Sequence, residues 1–164
     1  MKLVVKNGFL INRDEKYRCS IGYNGLSENK TEGDGCTPVG TFKINKILYR
    51  PDKINHHKFI LDSEIIEKSN GWCDDIDSEL YNQKVDLPFL YSAENLYRDD
   101  DLYDIVCVID YNLSPIIKGR GSAIFLHVAR NDYSPTHGCV AIQKDELIKV
   151  AMSLDKNSSI QIVC

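Results

Sequence analysis

Residues 123–142 contain the side chains best suited to covalent chemistry in this sequence. They include a cysteine, Cys139, and two histidines, His127 and His137. A thiol becomes a strong nucleophile when a neighbouring imidazole takes its proton or stabilises its thiolate. The types and spacing of these three residues therefore indicate a cysteine–histidine site.

The positions of the two histidines favour His127 as the general base. In an extended strand, His137 and Cys139 lie roughly 6.5–7 Å apart along the chain, too far for a hydrogen bond unless the backbone bends. Apolar runs at 123–129 and 140–142, separated by a polar loop, predict a strand–loop–strand hairpin that returns His127 towards Cys139. A residue across a strand pair has its Cβ only about 4.5–5.5 Å away. We therefore predict Cys139 as the nucleophile and His127 as the base.

The residues beside the cysteine have supporting roles in this hypothesis. Gly138 allows the backbone to turn sharply next to the sulfur. The N–H groups of Gly138 and Cys139 are predicted to face the oxyanion that forms during attack, while Thr136 and His137 orient or polarise the site. Free cysteine is also among the most buried residue types. An inert, packed Cys139 therefore remains the alternative at this point.

Two motifs connect these residues to a known family. The site lies in the run THGCV at residues 136–140, preceded by a strand histidine, and this pattern resembles the signature of the L,D-transpeptidase catalytic domain (YkuD) family. A second run, GCTPVGTF at 35–42, is similar to the family's Thr-Pro-x-Gly-x-Phe segment. GWCDD at 71–75 and GRGSA at 119–123 resemble segments of a short, single-domain bacterial branch. The resemblance spans most of the chain.

This resemblance implies a function in biogenesis of the bacterial cell wall. Cys139 would attack the carbonyl of the third residue, a diamino acid, in a peptidoglycan stem tetrapeptide and release the terminal D-Ala. The resulting thioester would pass to an amine acceptor, whereas transfer to water would give L,D-carboxypeptidase activity. His127 would take the thiol proton and return it to the leaving amine. The resemblance implies neither a metal nor an organic cofactor.

The sequence departs from the family pattern at two places. The gap between His127 and His137 is shorter than the usual one, which implies a trimmed loop. Ala141 stands where the family commonly has Arg or Asn two residues after the cysteine. Arg120 and Arg130 are the candidates to replace that group in ordering the site or binding substrate.

Two alternatives to a transpeptidase remain open. One is a hydrolase of cell-wall fragments that uses the same site. The other is a metal-binding or ligand-binding module with His127, His137 and Cys139 as ligands, although no fourth zinc ligand is evident. His56 and His57 do not extend this set, because adjacent residues of a strand point to opposite faces. We expect that pair in a solvated loop or at a strand edge.

Length and composition predict one soluble domain over residues 1–164. The chain is 43% hydrophobic and 27% charged, as is usual for a globular protein. Its net charge is −4 without a basic stripe, which argues against nucleic acid as a partner. No apolar stretch approaches the roughly 18 residues of a membrane span. The oligomeric state is not determined by these features.

The N-terminus and the cysteines bear on the compartment. The start of the chain has a short apolar run broken by Lys6, Asn7 and Gly8, which is not typical of a secretory signal. The expectation is a cytoplasmic chain, whereas members of the family that it resembles usually act in the periplasm or cell envelope. The cysteines are widely spaced and are predicted to be reduced thiols. They are Cys19, Cys36, Cys73, Cys107, Cys139 and Cys164.

Most of the predicted elements are strands. They lie at 2–5, 9–12, 16–22, 41–50, 103–110 and 159–163, with an Asn7-Gly8 hairpin turn and one helix at 145–154. The family resemblance implies that the polar loop 25–40 is a rim of the substrate cleft. The acidic segment 71–104 is predicted to be irregular, either a solvated surface or a lid. Because strands dominate and do not alternate with helices, we predict a mainly β fold, a curled β-sheet sandwich with a short C-terminal helix.

Overall fold

A computed structural model describes residues 1–55 and 58–164, in which strands predominate. The predicted loop at His56 and His57 lies outside the described residues. The single helix of the described part is α1 (Lys144–Ser153), and no helix there is long and apolar enough to cross a membrane. The strands are β1 (Lys2–Lys6), β2 (Phe9–Asn12), β3 (Glu15–Arg18), β4 (Leu26–Ser27), β5 (Thr37–Pro38), β6 (Gly40–Tyr49), β7 (Ser63–Ile65), β8 (Asn70–Cys73), β9 (Lys84–Asp86), β10 (Ala93–Asn95), β11 (Ile105–Ile109), β12 (Phe125–Val128), β13 (Val140–Ile142) and β14 (Ser159–Ile162).

The main sheet curls until its two ends nearly meet. Its strand order is β13-β12-β11-β6-β14-β1-β2-β3, and β7 pairs with β6 beside this path. Ser20, which follows β3, forms an antiparallel bridge with Ala141 of β13 at the opposite end of the order. The prediction of a mainly β fold with a curled sheet and a short C-terminal helix is therefore confirmed.

Several elements follow directly from local sequence. Asn7 and Gly8 have φ values of 51° and 76°, the left-handed conformation that a two-residue hairpin turn between β1 and β2 requires. Strand β6 is displaced by one residue from its predicted bounds, and so is helix α1. All five residues of β11 are buried because apolar clusters cover both faces of this strand.

The predicted hairpin around the candidate site is wrong. Strands β12 and β13 are parallel, with Leu126 opposite Val140. Between them the chain leaves the sheet, and Thr136 pairs with the segment after β3. The Thr136 N–H donates to the Ile21 carbonyl, and the Tyr23 N–H donates to the Thr136 carbonyl, both at 2.9 Å. The chain therefore turns twice and enters β13 in the same direction as β12.

The acidic segment is not irregular throughout. Strands β8, β9 and β10 form a separate three-stranded sheet in the order β10-β8-β9. Trp72 of β8 packs edge-to-face against Phe125 of β12 with 5.1 Å between ring centroids. Asp100 at the end of this segment is ion-paired with Arg98 at 2.7 Å. The segment thus forms a wall packed against one face of the main sheet.

Two hydrophobic clusters divide the interior. The larger cluster fills the curl of the main sheet and includes Cys107, as predicted from its apolar surroundings. The smaller cluster lies between the main sheet and the three-stranded sheet and includes Cys139, Trp72 and Phe125. All six cysteines are free thiols, of which only Cys164 is fully exposed.

Candidate active site

One cleft brings most of the predicted site residues together. It has a volume of about 580 Å³, and its walls come from the loop 30–35, the segment 74–103 and the region 122–141. The predicted residues that line it are Cys139, His127, His137, Gly138, Thr136 and Arg130. Arg120 is not among the lining residues. It is exposed, and its carbonyl accepts a hydrogen bond from the Tyr111 hydroxyl at 2.6 Å.

The pairing of β12 with β13 places His127 and Cys139 on the same face of the sheet. His127 lies opposite Ala141 in the parallel register, and side chains alternate between the two faces of a strand. Leu126 and Val140 point into the larger cluster, so His127 and Cys139 point to the other side. The predicted base and nucleophile therefore lie on the same face of the sheet, although the predicted direction of the second strand is wrong.

The Cys139 thiol is buried and hydrogen-bonded to the backbone on two sides. It donates a hydrogen bond to the Ala123 carbonyl at 3.1 Å and accepts one from the Phe125 N–H at 3.4 Å. Burial raises the pKa of Cys139 to about 12, and the negative charge of Glu94 acts in the same direction. The Phe125 N–H and the charge of Lys30 oppose this shift. With this raised pKa, the Cys139 side chain is a thiol rather than a thiolate at neutral pH.

The His127 imidazole has the protonation state that a general base needs. Its Nδ1 lies 2.9 Å from the Val128 carbonyl, which can only accept a hydrogen bond. Nδ1 therefore carries the proton, and Nε2 is left to accept one. Burial lowers the pKa of His127 to about 4, so the ring is neutral at neutral pH. The His127 ring packs against the Tyr103 ring in a T-shaped contact with 5.3 Å between centroids.

The turn before Cys139 is closed by Thr136. Its hydroxyl accepts a hydrogen bond from the Gly138 N–H at 3.1 Å and donates one to the Cys139 carbonyl at 2.6 Å. Gly138 has φ of 143°, and a Cβ at this position would lie 2.9 Å from the Cys36 carbonyl oxygen. His137 is exposed, and its ring contacts Tyr23 with 5.5 Å between centroids. The Gly138 N–H, predicted to bind the oxyanion, is thus engaged by Thr136.

Sequence reasoning missed Lys30 and Glu94, two charged residues of the cleft wall. Lys30 lines the cleft with only 4% of its surface exposed, and it forms an ion pair with Asp34 at 2.7 Å. The Tyr103 hydroxyl donates to Glu94 Oε1 at 2.5 Å. Burial raises the pKa of Glu94, whereas this hydrogen bond acts in the opposite direction. The only signal in the sequence was the family resemblance, which implied that loop 25–40 forms a rim of the cleft, and Lys30 does lie in that rim.

Asn82 was also missed, although it joins two segments that the family resemblance had singled out. Its Oδ1 accepts hydrogen bonds from Trp72 Nε1 at 2.9 Å and from the Ala123 N–H at 3.0 Å. Its Nδ2 donates to the Asn112 carbonyl at 2.7 Å. Ala123 has φ of 52°, an unusual value for a residue with a Cβ. Asn82 therefore holds the N–H of Ala123, the residue whose carbonyl accepts a hydrogen bond from the Cys139 thiol.

The structure gives no geometric support to the metal-binding alternative within its described residues. Across 1–55 and 58–164, no group of three His, Cys, Asp or Glu side chains is placed to hold a metal ion. This includes His127, His137 and Cys139, which the alternative had required as ligands.

The fold is mainly β, and a buried cysteine and a neutral histidine line one cleft. These features define the class of protein as a candidate thiol-dependent enzyme. A family model described as the L,D-transpeptidase catalytic domain, YkuD, matches residues 1–162. The chain belongs to this L,D-transpeptidase family, whose members are transferases that act on peptidoglycan. A comparison with curated proteins finds no match.

Proposed function

We propose that this protein is a cysteine-dependent L,D-transpeptidase acting on peptidoglycan stem tetrapeptides. The observation that carries the proposal is that Cys139 and His127 face one cleft in a chain that matches the family over residues 1–162. In this proposal Cys139 is the nucleophile and His127 the general base, and Thr136 and Gly138 shape the turn. His137 and Arg130 lie on the cleft rim, where they contact substrate.

Proton transfer and attack occur together in the proposed mechanism. With pKa values of about 12 for Cys139 and about 4 for His127, transfer before attack is strongly unfavourable. The thiol proton therefore moves to Nε2 of His127 as the bond forms between sulfur and the carbonyl carbon of the third stem residue. The tetrahedral intermediate expels the amino group of D-Ala, which takes the proton from His127. The product is a thioester on Cys139.

The second half of the reaction decides between transfer and hydrolysis. An acceptor amine gives up a proton to His127 and attacks the thioester, forming a new amide and restoring the thiol. Water in the same position gives a tripeptide and L,D-carboxypeptidase activity.

The charges of the cleft support a zwitterionic substrate such as a stem peptide. Both carboxylate and ammonium groups occur in such a peptide, and side chains of both signs line the cleft. The cations are Lys30, Arg98 and Arg130, and the anions are Glu32, Asp74 and Glu94.

Mass spectrometry tests the proposal. The protein is mixed with a disaccharide tetrapeptide, and intact protein and products are measured beside Cys139→Ala and His127→Asn variants. Cys164→Ala is the matched control, because this exposed cysteine is not among the residues that line the cleft. We expect release of D-Ala and a transient thioester adduct in the wild type and control, with no adduct in Cys139→Ala.

The products also separate the two half-reactions. Cross-linked dimer indicates transfer to an amine, and tripeptide indicates hydrolysis. Folded wild-type protein that forms neither adduct nor product would refute this donor.

A further inference from the structure

Lys30 brings a buried positive charge to the turn that precedes the nucleophile. A Cβ built on Gly138 would lie 3.4 Å from Lys30 Nζ, and one built on Gly121 would lie 2.8 Å from its Cε. Both glycines have positive φ, at 143° and 103°. The lysine side chain therefore lies in space left by two glycines and ends beside Gly138, the residue next to Cys139.

The loop that carries Lys30 holds its ammonium in place. Asp34 Oδ1 accepts from Lys30 Nζ at 2.7 Å and from the Cys36 N–H at 2.8 Å, while Oδ2 accepts from the Thr31 N–H at 2.8 Å. The Thr31 carbonyl is a second, weaker acceptor for Nζ at 3.5 Å. An ammonium has three N–H donors, so one has no acceptor among the described residues. A buried donor without an acceptor favours binding of an oxygen.

The chemistry proposed for Cys139 creates an oxygen with negative charge beside this donor. Attack on an acyl carbon turns the carbonyl oxygen into an oxyanion, and fixed donors that face it lower the barrier. The Gly138 N–H is bound to Thr136, the Cys139 N–H is a neutral donor, and Ala141 carries no charge. The positive charge of Lys30 favours negative charge near the Cys139 sulfur, since it acts to lower the pKa of this thiol. Arg130 is exposed at the rim, and its charge lowers the pKa values of His127 and Asp100 instead.

We propose that Lys30 is a catalytic residue whose ammonium donates a hydrogen bond to the oxyanion formed when Cys139 attacks the acyl carbon. In that step the S–C bond forms, the π electron pair of the carbonyl moves to oxygen, and the thiol proton moves to His127 Nε2. When the intermediate collapses, the pair returns and the leaving group departs. Lys30 stays protonated throughout. The inference rests on the proposed function, in which Cys139 is the nucleophile.

Two reagents separate this role from a general effect on the thiol. Acylation of Cys139 by p-nitrophenyl acetate proceeds through an oxyanion, whereas alkylation by iodoacetamide displaces iodide at a saturated carbon and forms none. Both rates are measured at the Cys139 peptide in the wild type, Lys30→Met and Lys30→Arg. Lys118→Met is the matched control, because Lys118 is also ion-paired, at 2.8 Å from Glu79, and does not line the cleft.

We expect Lys30→Met to lower the acylation rate by about 10²–10³-fold, the usual loss when one oxyanion donor is removed, and the alkylation rate much less. Lys30→Arg should recover part of the acylation rate, and Lys118→Met should match the wild type. Thermal unfolding checks that each variant is folded. Lys30→Gln, which keeps a polar end without charge, replaces Lys30→Met if the latter does not fold.

The outcomes that overturn the inference are distinct from failure of the proposed function. Equal loss of acylation and alkylation would show that Lys30 acts only through the thiol, and unchanged acylation would show no contact with the oxyanion. The activated ester does not require a stem peptide. If acylation by the ester depends on Lys30 but the protein does not cleave the tetrapeptide, the proposed substrate is refuted and the proposed role of Lys30 is supported. Wild-type protein whose Cys139 reacts with neither reagent would overturn both.

Discussion

The burial of Cys139 predicts slow alkylation at neutral pH. Burial and the charge of Glu94 raise its pKa from an ordinary value of 9.0 to about 12, a difference of about three pH units. Alkylation requires the thiolate, and each pH unit is a factor of ten in its fraction, or 1.36 kcal/mol. At pH 8 the thiolate fraction of Cys139 should therefore be about 10³-fold lower than that of a thiol with the ordinary value, equivalent to about 4 kcal/mol.

The charge of Glu94 is the part of this shift that mutation can remove. Glu94→Gln keeps an oxygen for the Tyr103 hydroxyl, which now bonds the carboxylate at 2.5 Å, but removes the negative charge. We expect Cys139 to react faster in this variant. The gain should stay well below 10³-fold, because burial is the larger cause of the raised pKa.

The assay is alkylation by iodoacetamide from pH 7 to pH 10, resolved by peptide mass spectrometry. Exposed Cys164 in the same chain is the internal reference. The rate at Cys139 should rise about tenfold per pH unit without a plateau across this range. Equal rates for Cys139 and Cys164 at pH 8, or slower alkylation of Cys139 in Glu94→Gln, would refute this account of the resting thiol.

Two further predictions concern stability, and urea denaturation measures both. Burial lowers the pKa of His127 from 6.5 to about 4, so between these pH values the unfolded chain binds a proton that the folded chain does not. The free energy of unfolding should therefore fall by roughly 3 kcal/mol as the pH drops from 6.5 to 4. The His127→Asn variant should not show this loss. Asn82→Ala leaves the N–H groups of Trp72 and Ala123 unpaired and should cost about 2–6 kcal/mol, whereas Asn24→Ala, at an exposed asparagine, should cost less than about 1.5 kcal/mol. Equal losses for the two asparagines would contradict this role of Asn82.

Elements with a strong local signal were predictable from the sequence. Asn7-Gly8 specified its own turn because both residues tolerate positive φ. The apolar spacing in α1 gave its position to within one residue. The placement of Cys139 and His127 on one face of the sheet was also within reach, because side chains alternate between the two faces along each apolar run.

Features that depend on distant segments could not be predicted in this way. The direction of β13 depends on two backbone hydrogen bonds of Thr136, which donates to Ile21 and accepts from Tyr23, more than a hundred positions earlier in the chain. Lys30 reaches the site through a loop with no local pattern of its own. The strands β8, β9 and β10 have only three or four residues each, too few for a clear alternation of apolar and polar side chains.

The place of β14 in the main sheet has a consequence for the order of folding. This strand is last in sequence but interior in the sheet, where it pairs with β6 on one side and β1 on the other. The β1–β2 hairpin can be joined to β6 only after β14 has formed between them, although Ser20 also bridges to Ala141 at the far end of the sheet. We therefore expect folding to be slow, as for other topologies dominated by contacts between distant parts of the chain.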